Sequence, residues 1–412
     1  MQYRSFESWR ARAVDESIRR ARSAHRKVFC YTLALSHSAE GGAGGQPSLA
    51  VRASRVVPYA KSIRQHIRHR PGLREVDASR VLMGGQGGSD ASAFAAALGT
   101  LRYGSTPMDQ SPHVELLRMA AGRDLSDDEL RSSRYYEFSH DVVRASGSFF
   151  GVRTDDEILD VTRNFIEWAL EGSPRVTYSS SSPFEDNILV AKIAGSPLYQ
   201  VIDGHHRVAA AIARGDDTLL VHRTWLSTET PLQRRLWEMS PSGQGGRVLA
   251  QPIPAPEVET GWVVTANCAD RLIRMLRFLE QGGHEVTADA DFLDVGSSLG
   301  WFVGEMKRFG HRVRGVEHDP RAADVGTSFL ELAPDDVVVG DLTEKLEELK
   351  GSYDVVTCFT LPGVIGAPDG RQVVGRMIRS LDRVTGKVLF VDSDESTDLR
   401  ARVDGPDESL TA

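Results

Sequence analysis

Cysteine is scarce in this chain. Cys30, Cys268 and Cys358 are scattered through 412 residues. None stands in a CxxC pair or at a metal-ligand spacing. That excludes a disulfide framework and a zinc ribbon, and it points to a reducing cytoplasm. Long apolar runs are missing too. None approaches the ~18 residues of a membrane span, so no membrane association is expected. The opening stretch MQYRSFESWRARAVDESIRR is charged throughout and lacks the apolar centre of a cleaved secretion signal. Lysine is rare, 7 against 42 arginines. Such a ratio reflects a GC-rich genome more directly than a phosphate-binding surface, so the arginine count alone says little about ligands.

What remains is an ordinary globular composition, 41% hydrophobic and 26% charged, long enough for two or three domains. The net charge of −8 is unevenly spread. Residues 1–75 hold 15 Lys+Arg against 5 Asp+Glu, which leaves the rest near −18. A basic arm for nucleic acid or an acidic partner is one reading of that asymmetry. A partly disordered, Gly-rich leader over 1–105 is the other, and it is the expectation adopted here, with no nucleic-acid partner. Within it, Phe6, Trp9, Ala13 and Ile18 have helical spacing in residues 1–35, and Gly41–Gly45 ends any regular structure. A second glycine run, Gly84 to Ser89, precedes an alanine-rich helix at Ala91–Leu98. It lacks the Gly-Lys-Ser/Thr ending of a phosphate-binding P-loop and reads as a flexible linker.

From residue 106 the texture is helical. Pro112 to Leu117 opens one helix, and Ser126 with Glu129 forms a capping-box pattern at a second. A third runs over 134–147 to a stop at Gly147. Thr154 to Glu157 caps a fourth, stopped by Gly172. Two short strands, 188–194 and 198–202, make a hairpin, followed by Asp203-Gly204-His205-His206-Arg207, a small helix and a strand at 219–223. This helical lead-in with its α+β unit spans 106–240. The Pro/Gly/Ser-rich stretch 241–260 is expected to be a linker. Helices and strands then alternate over 261–395, with strands at 291–295, 312–316, 337–339, 353–359 and 387–392. That pattern predicts a doubly wound parallel sheet. The tail 396–412 is expected to fray.

Two clusters carry chemistry. Asp294-Val295-Gly296-Ser297-Ser298-Leu299-Gly300 lies where a strand hands over to a helix, with glycines that admit close backbone approach and a helix start whose N–H groups are unpaired. Glu317 ends the next strand, where a carboxylate meets the hydroxyls of a ribose in dinucleotide-type crevices. The spacing is not the G-x-G-x-x-G of NAD sites. The second cluster is Asp203 to Arg207. Gly204 permits a tight turn, and the helix start with the Arg207 fork favours an anion. A buried His–Asp pair closing a loop is the bland alternative. Adjacent histidines alone do not make a metal site, and none is expected.

The stretches FLDVGSSLGWFV, VRGVEHDP, VVVGDL and YDVVTCF, in this order, resemble class I S-adenosylmethionine-dependent methyltransferases over roughly 260–395. The resemblance implies a Rossmann-like domain. Asp294, Gly296, Ser297 and Gly300 would wrap the methionine part of the cofactor. Glu317, aided by His318, would hold the ribose, and Asp341 would bind the adenine amino group. Only about twenty residues follow the fifth strand, so the usual closing antiparallel hairpin is expected to be missing and the domain minimal. No base can be named in Thr360-Leu361-Pro362-Gly363-Val364. The stretch LYQVIDGHHRVAAAIARG, within roughly 176–225, resembles the ParB/sulfiredoxin-like superfamily, nearest its free-serine-kinase type. That implies a nucleotide or phosphate site at Gly204, His205, His206 and Arg207, with Asp203 in a catalytic role and Glu185 or Asp186 as upstream base. ATP or ADP with Mg2+ would be its ligand.

The leading expectation is a methyltransferase for a small molecule, with an oxygen acceptor in specialised or sugar metabolism. The alternatives are an ATP- or ADP-dependent small-molecule kinase with an auxiliary methyltransferase domain, and a ligand-sensing regulator. Trp301, Phe302 and Cys358 are expected to pack in the core. Trp262 and Arg271 serve as helix packing or line the acceptor pocket, and His113 caps its helix or faces the histidine loop.

Overall fold

The computed structural model describes residues 69–86, 91–170, 188–224, 227–239, 247–265, 267–282, 284, 287, 289–359, 370–393 and 396–403. The helix expected within 1–35, the glycine run at 41–45, Gly172, Glu185, Asp186 and residues 360–364 lie outside them.

The first sheet contains β1 (His69–Asp77), β2 (Val81–Leu82), β3 (Ile188–Lys192), β4 (Tyr199–Asp203) and β5 (Thr218–Thr224), in the order β1-β5-β3-β4-β2. β3 and β4 are antiparallel, as a hairpin requires, whereas β3 runs parallel to β5 and β4 parallel to β2. Between β2 and β3 come α1 (Ala91–Leu98), α2 (Pro112–Ala120), α3 (Asp127–Arg131), α4 (Arg134–Ser146) and α5 (Asp155–Leu170). Local sequence sets these helices. Ser111 caps α2 with Pro112 at its first turn, Ser126 and Glu129 form the full capping box of α3, and Gly147, at φ 83°, ends α4. The cap of α2 is therefore Ser111 and not His113. Tyr135, Phe138, Ile158, Phe165, Val190, Val201 and Val208 share the core between helices and sheet.

The leader is shorter than expected, because residues 69–105 supply β1, β2 and α1. β1 is an edge strand bonded only to β5, a place that tolerates Pro71 and Gly72, and its register shifts between His69 and Leu73.

α6 (His205–Ala213) lies between β4 and β5 in the chain, and α7 (Pro231–Met239) follows β5. Then follow β6 (Val248–Leu249), α8 (Pro256–Glu259), β7 (Val263–Val264) and α9 (Cys268–Gln281). The second sheet holds β8 (Asp291–Val295), β9 (Arg312–Glu317), β10 (Val337–Val339), β11 (Tyr353–Cys358), β12 (Thr385–Ser393) and β13 (Ser396–Val403). Its order is β10-β9-β8-β11-β12-β13, parallel except for the last pair. The interleaved helices are α10 (Trp301–Arg308), α11 (Pro320–Phe329), α12 (Leu342–Glu348) and α13 (Gly370–Val384). Chain order reverses between β8 and β11, the switch point of a doubly wound sheet. The tail expected to fray instead contributes an antiparallel edge strand, with Val403 opposite Val388. A polar sequence such as STDLRARV gives little strand signal by itself, and its pairing comes from the edge that β12 offers.

The stretch expected as a linker is also structured from 247 onward. Ile253, Ala255, Val258 and Trp262 are buried with Leu101, Leu232 and Leu236 on one side and Leu299, Val303, Val325 and Phe329 on the other. Each such side chain contributes about 1.5–3 kcal/mol on burial. Both sheets thus belong to one compact unit, His69–Ala412. Polar contacts reinforce the joint. Glu257 is fully buried and accepts hydrogen bonds from the Ser105 and Thr230 hydroxyls, the latter at 2.8 Å. Arg235 meets Asp324 at 3.2 Å, and Arg321 donates to the Glu238 carbonyl at 2.7 Å.

Gly84 shows how tightly the first sheet closes. A Cβ there would stand 1.6 Å from the Val201 carbonyl oxygen of β4. Gly84→Ala is expected to lower the unfolding free energy by about 3 kcal/mol in urea titrations. A loss below about 1 kcal/mol would contradict this crossing of chains.

Candidate active site

Two loops gather the candidate residues, and the first sits at the switch point. Between β8 and α10 the chain makes three left-handed residues in five: Gly296 at φ 71°, Ser298 at φ 53° and Gly300 at φ 79°. Serine there costs about 1–2 kcal/mol relative to a right-handed conformation. Such a turn persists only where its surroundings over-determine it. Here they do. The amides of Gly296 and Ser297 both donate to the Val316 carbonyl, at 2.8 and 3.1 Å. Ser298 donates to Glu317 Oε2 at 2.7 Å, Gly300 to the Ser297 carbonyl at 2.9 Å, and Trp301 to Gln251 Oε1 at 3.2 Å. Of the helix-start amides expected to be unpaired, that of Trp301 is engaged. The amides of Gly296, Ser297, Ser298, Gly300 and Trp301 are all engaged within the protein.

Glu317 closes β9 with 4% exposure and gathers four donors. Besides Ser298, its Oε1 accepts from the amides of His318 and Asp319, each at 2.9 Å, and lies 2.8 Å from His318 Nδ1. The His318 side chain itself is 73% exposed. Asp319 caps α11, accepting from the Arg321 amide and pairing with its guanidinium. Asp341 caps α12, its Oδ1 accepting from the Thr343 and Glu344 amides at 2.9 and 3.0 Å.

Asp294 differs. It is buried at the end of β8, and Oδ1 accepts from the Thr357 hydroxyl at 2.7 Å, while Oδ2 has no hydrogen-bond partner. Burial pushes its carboxyl up to about 7, helped by the Glu317 charge and opposed by Thr357. Ser297 Oγ is likewise buried without a partner. A buried acid with one uncommitted oxygen, a buried hydroxyl, a left-handed glycine turn and a strand-end glutamate thus meet at the switch point. Around it, Phe302 and Cys358 are buried as expected. Trp301 is half-buried against Phe302, and Arg271 lies 5.4 Å over the Phe359 ring. Trp262 packs on Trp237 at 5.2 Å in the joint. Burial pushes the Cys268 thiol up to about 11, which leaves no thiolate nucleophile at that position.

The second loop follows β4. Asp203 is its last residue and accepts from the Gly204 amide at 2.9 Å. Gly204, at φ 93°, starts α6. His205 is buried, and its Nε2 accepts from the Gly84 amide at 3.1 Å. The glycine run read as a linker thus reaches the histidine loop. His206 Nε2 lies 2.6 Å from the Tyr135 hydroxyl, among the rings of His113, Phe150 and Phe165. Burial holds His205 and His206 down at about 3, and it holds the His113 imidazole well below its ordinary range. His113 is fully buried with neither ring nitrogen hydrogen-bonded. Arg207 follows on the first turn of α6, half-buried. Among the described residues no group of three His, Cys, Asp or Glu side chains could hold a metal ion. Nor is any described helix long and apolar enough to cross a membrane.

The sequence reading missed Gln251, Thr357 and Tyr135. Thr357 could have been suspected, because its place in the strand beside β8 puts it opposite Asp294. Gln251 and Tyr135 gave no local signal.

No protein-family model matches the sequence, and no curated protein matches it. Solved structures similar to the chain include WbdD, described as a bifunctional kinase-methyltransferase, in complex with the kinase inhibitor LY294002. That match has 16% identity, covers 32% of each chain and has a TM-score of 0.28. A TehB-like SAM-dependent methyltransferase from Corynebacterium glutamicum has 22% identity, covering 30% of this chain and 71% of that one, with a TM-score of 0.21. Magnesium protoporphyrin IX methyltransferase from Synechocystis, with bound SAH, has 17% identity, 31% and 57% coverage, and a TM-score of 0.25. The chain spans about a third of the length of WbdD. With overlap this limited, the functional reading rests on the site itself.

The Asp294 shift has a consequence for stability. A carboxyl whose folded pKa is raised from 3.8 to about 7 favours the fold while protonated. Its contribution is complete below about pH 4 and is lost as pH rises through about 7, by roughly 2–4 kcal/mol. Asp294→Asn is expected to remove this part of the slope from urea midpoints measured across that window. Parallel pH profiles for the two proteins would refute the assignment.

Proposed function

We propose that residues 261–395 form an S-adenosylmethionine-dependent methyltransferase domain acting on a small molecule with an oxygen acceptor. The observation that carries this reading is the switch-point turn with its two acids, one whose oxygens are engaged (Glu317) and one with a free buried oxygen (Asp294). Bound there, S-adenosylmethionine would supply an electrophilic methyl group on its sulfonium. Asp294 offers its uncommitted Oδ2 to the ammonium of the methionine part. Glu317 receives ribose hydroxyls by exchanging the Ser298 amide for them, and His318 stands beside it, exposed. Asp341 faces the adenine amino group from the start of α12. Gly296, Ser297 and Gly300 would line the methionine part from the turn before α10. Methyl transfer to a nucleophilic acceptor proceeds by proximity and orientation without a dedicated base.

A second reading is favoured by the hydrogen bond between Gly84 and His205, which brings two glycine-bearing loops to the start of α6. In it, the ParB/sulfiredoxin-like unit over 106–240 binds ATP or ADP with Mg2+ through Gly204, His205, His206 and Arg207, and Asp203 serves as base toward a substrate hydroxyl. Nucleotide consumption with hydroxylated small molecules would then vanish in Asp203→Asn while the fold persists. If both sites bind ligand without turnover, the chain is a sensor.

Calorimetry tests the first reading. The wild type is expected to bind S-adenosylmethionine with a Kd in the micromolar range, about −8 kcal/mol. Gly296→Arg is expected to abolish binding, because the turn holds this residue at φ 71°, a conformation that a residue with a Cβ disfavours. Affinity is expected to fall by up to about tenfold for each pH unit below about 7, as Asp294 takes up its proton. Asp294→Asn binds more weakly and without that pH dependence. A wild type that does not bind ends the proposal.

A further inference from the structure

Gln251 lies in the stretch whose composition reads as spacer, outside the second sheet, yet its side chain reaches the switch-point turn. It is 8% exposed. Nε2 donates to the Ser297 carbonyl at 3.0 Å, and Oε1 accepts from the Trp301 amide at 3.2 Å. One planar group therefore bridges both ends of the turn. The partners fix which end of the side-chain amide is oxygen, since a backbone N–H needs an acceptor and a carbonyl needs a donor. A carboxylate has no donor for Ser297, and an aliphatic side chain has neither group.

We infer that Gln251 is a positioning residue for the cofactor turn, clamping Ser297 to Trp301 so that Gly296–Gly300 keeps the conformation that receives S-adenosylmethionine. The ligand in this inference rests on the methyltransferase reading above, whereas the clamp rests on the hydrogen bonds alone. Three features support it. The turn carries three left-handed residues, including the non-glycine Ser298, and so depends on external restraint. Its other side-chain restraint, Glu317, holds Ser298 in the middle and neither end. The strap that presents Gln251 is itself anchored. β6 pairs with β7 next to it, and Glu257 further along is held by Ser105 and Thr230 of the first half of the chain. The turn is thus set from the joint between the two sheets as well as from its own sheet.

The test uses the full chain and two independent readouts, amide hydrogen exchange without ligand and calorimetry with S-adenosylmethionine. In Gln251→Ala, exchange at Trp301 is expected to accelerate at least tenfold while protection in β8 and β11 stays at the wild-type level, and the Kd rises about tenfold. In Gln251→Glu, the acceptor for Trp301 survives and the donor for Ser297 is lost. Trp301 should stay protected while the affinity still falls. Wild-type exchange at Trp301 in Gln251→Ala would overturn the clamp. So would a loss of protection spread over β8 and β11, because that marks a general structural role. If the wild type fails to bind the cofactor, the methyltransferase reading fails, and the exchange measurement still decides whether the clamp exists. If the clamp is confirmed by exchange and both variants bind with wild-type affinity, the positioning role is refuted.

Discussion

The arrangement of the second sheet hinges on the Glu317 carboxylate. It sits at the carboxyl end of β9 and takes amides from two turns at once, Ser298 before α10 and His318–Asp319 before α11. Hydrogen bonds to a charged acceptor contribute about 1.5–3 kcal/mol each, enough to hold a serine in a left-handed conformation. The two helices that flank the crevice therefore start from positions fixed by one side chain. Removing it would free two turns together. Without it, the turn before α10 would relax only as far as its remaining restraints allow.

Those remaining restraints come from the Val316 carbonyl of β9 and from the joint. The strap from 247 to 265 is rich in proline and glycine nearby, yet Ile253, Val258 and Trp262 bury themselves between the two halves. Separate rigid domains on a flexible linker would leave these side chains in water. Their burial makes the two sheets one unit and lets Gln251 and Glu257 act at opposite ends of the same short segment. Glu257 is informative in this respect. Burial raises its carboxyl, and two hydroxyls donate to one oxygen while the other has no partner. An acid retained at such a position adds little to net stability compared with an apolar side chain of similar size, but removing one partner leaves a costly unsatisfied group. It specifies how the halves fit more than how tightly.

Much of this was legible in the sequence. The strands at 291–295 and 337–339, the capping box at Ser126, the stop at Gly147 and the hairpin before Asp203 follow from periodicity and turn chemistry, which act within a few residues. The misses share one cause. β1 and β13 are edge strands whose pairing depends on a distant partner, so HRPGLREVD and STDLRARV carry weak strand signals. Helices α12 and α13 were not named because they fill crossovers that only the sheet order demands. At the turn, the glycines and Glu317 could be placed by spacing. The occupation of their amides could not, because it depends on Val316 and Gln251, one across a strand pair and one beyond the sheet. Long-range hydrogen bonds leave no periodic trace.

The histidine loop follows a different electrostatic rule from the switch-point turn. With burial holding His205 and His206 near 3, both imidazoles are neutral at ordinary pH. A neutral imidazole donates from one nitrogen only, and the Gly84 amide already occupies His205 Nε2, so Nδ1 carries the proton. An anion approaching the start of α6 would therefore meet one permanent cation of the motif, Arg207, together with the helix dipole, and not a cluster of three positive charges. The loop itself is ordered by directed hydrogen bonds, from the Gly84 amide to His205 and from the Gly204 amide to Asp203.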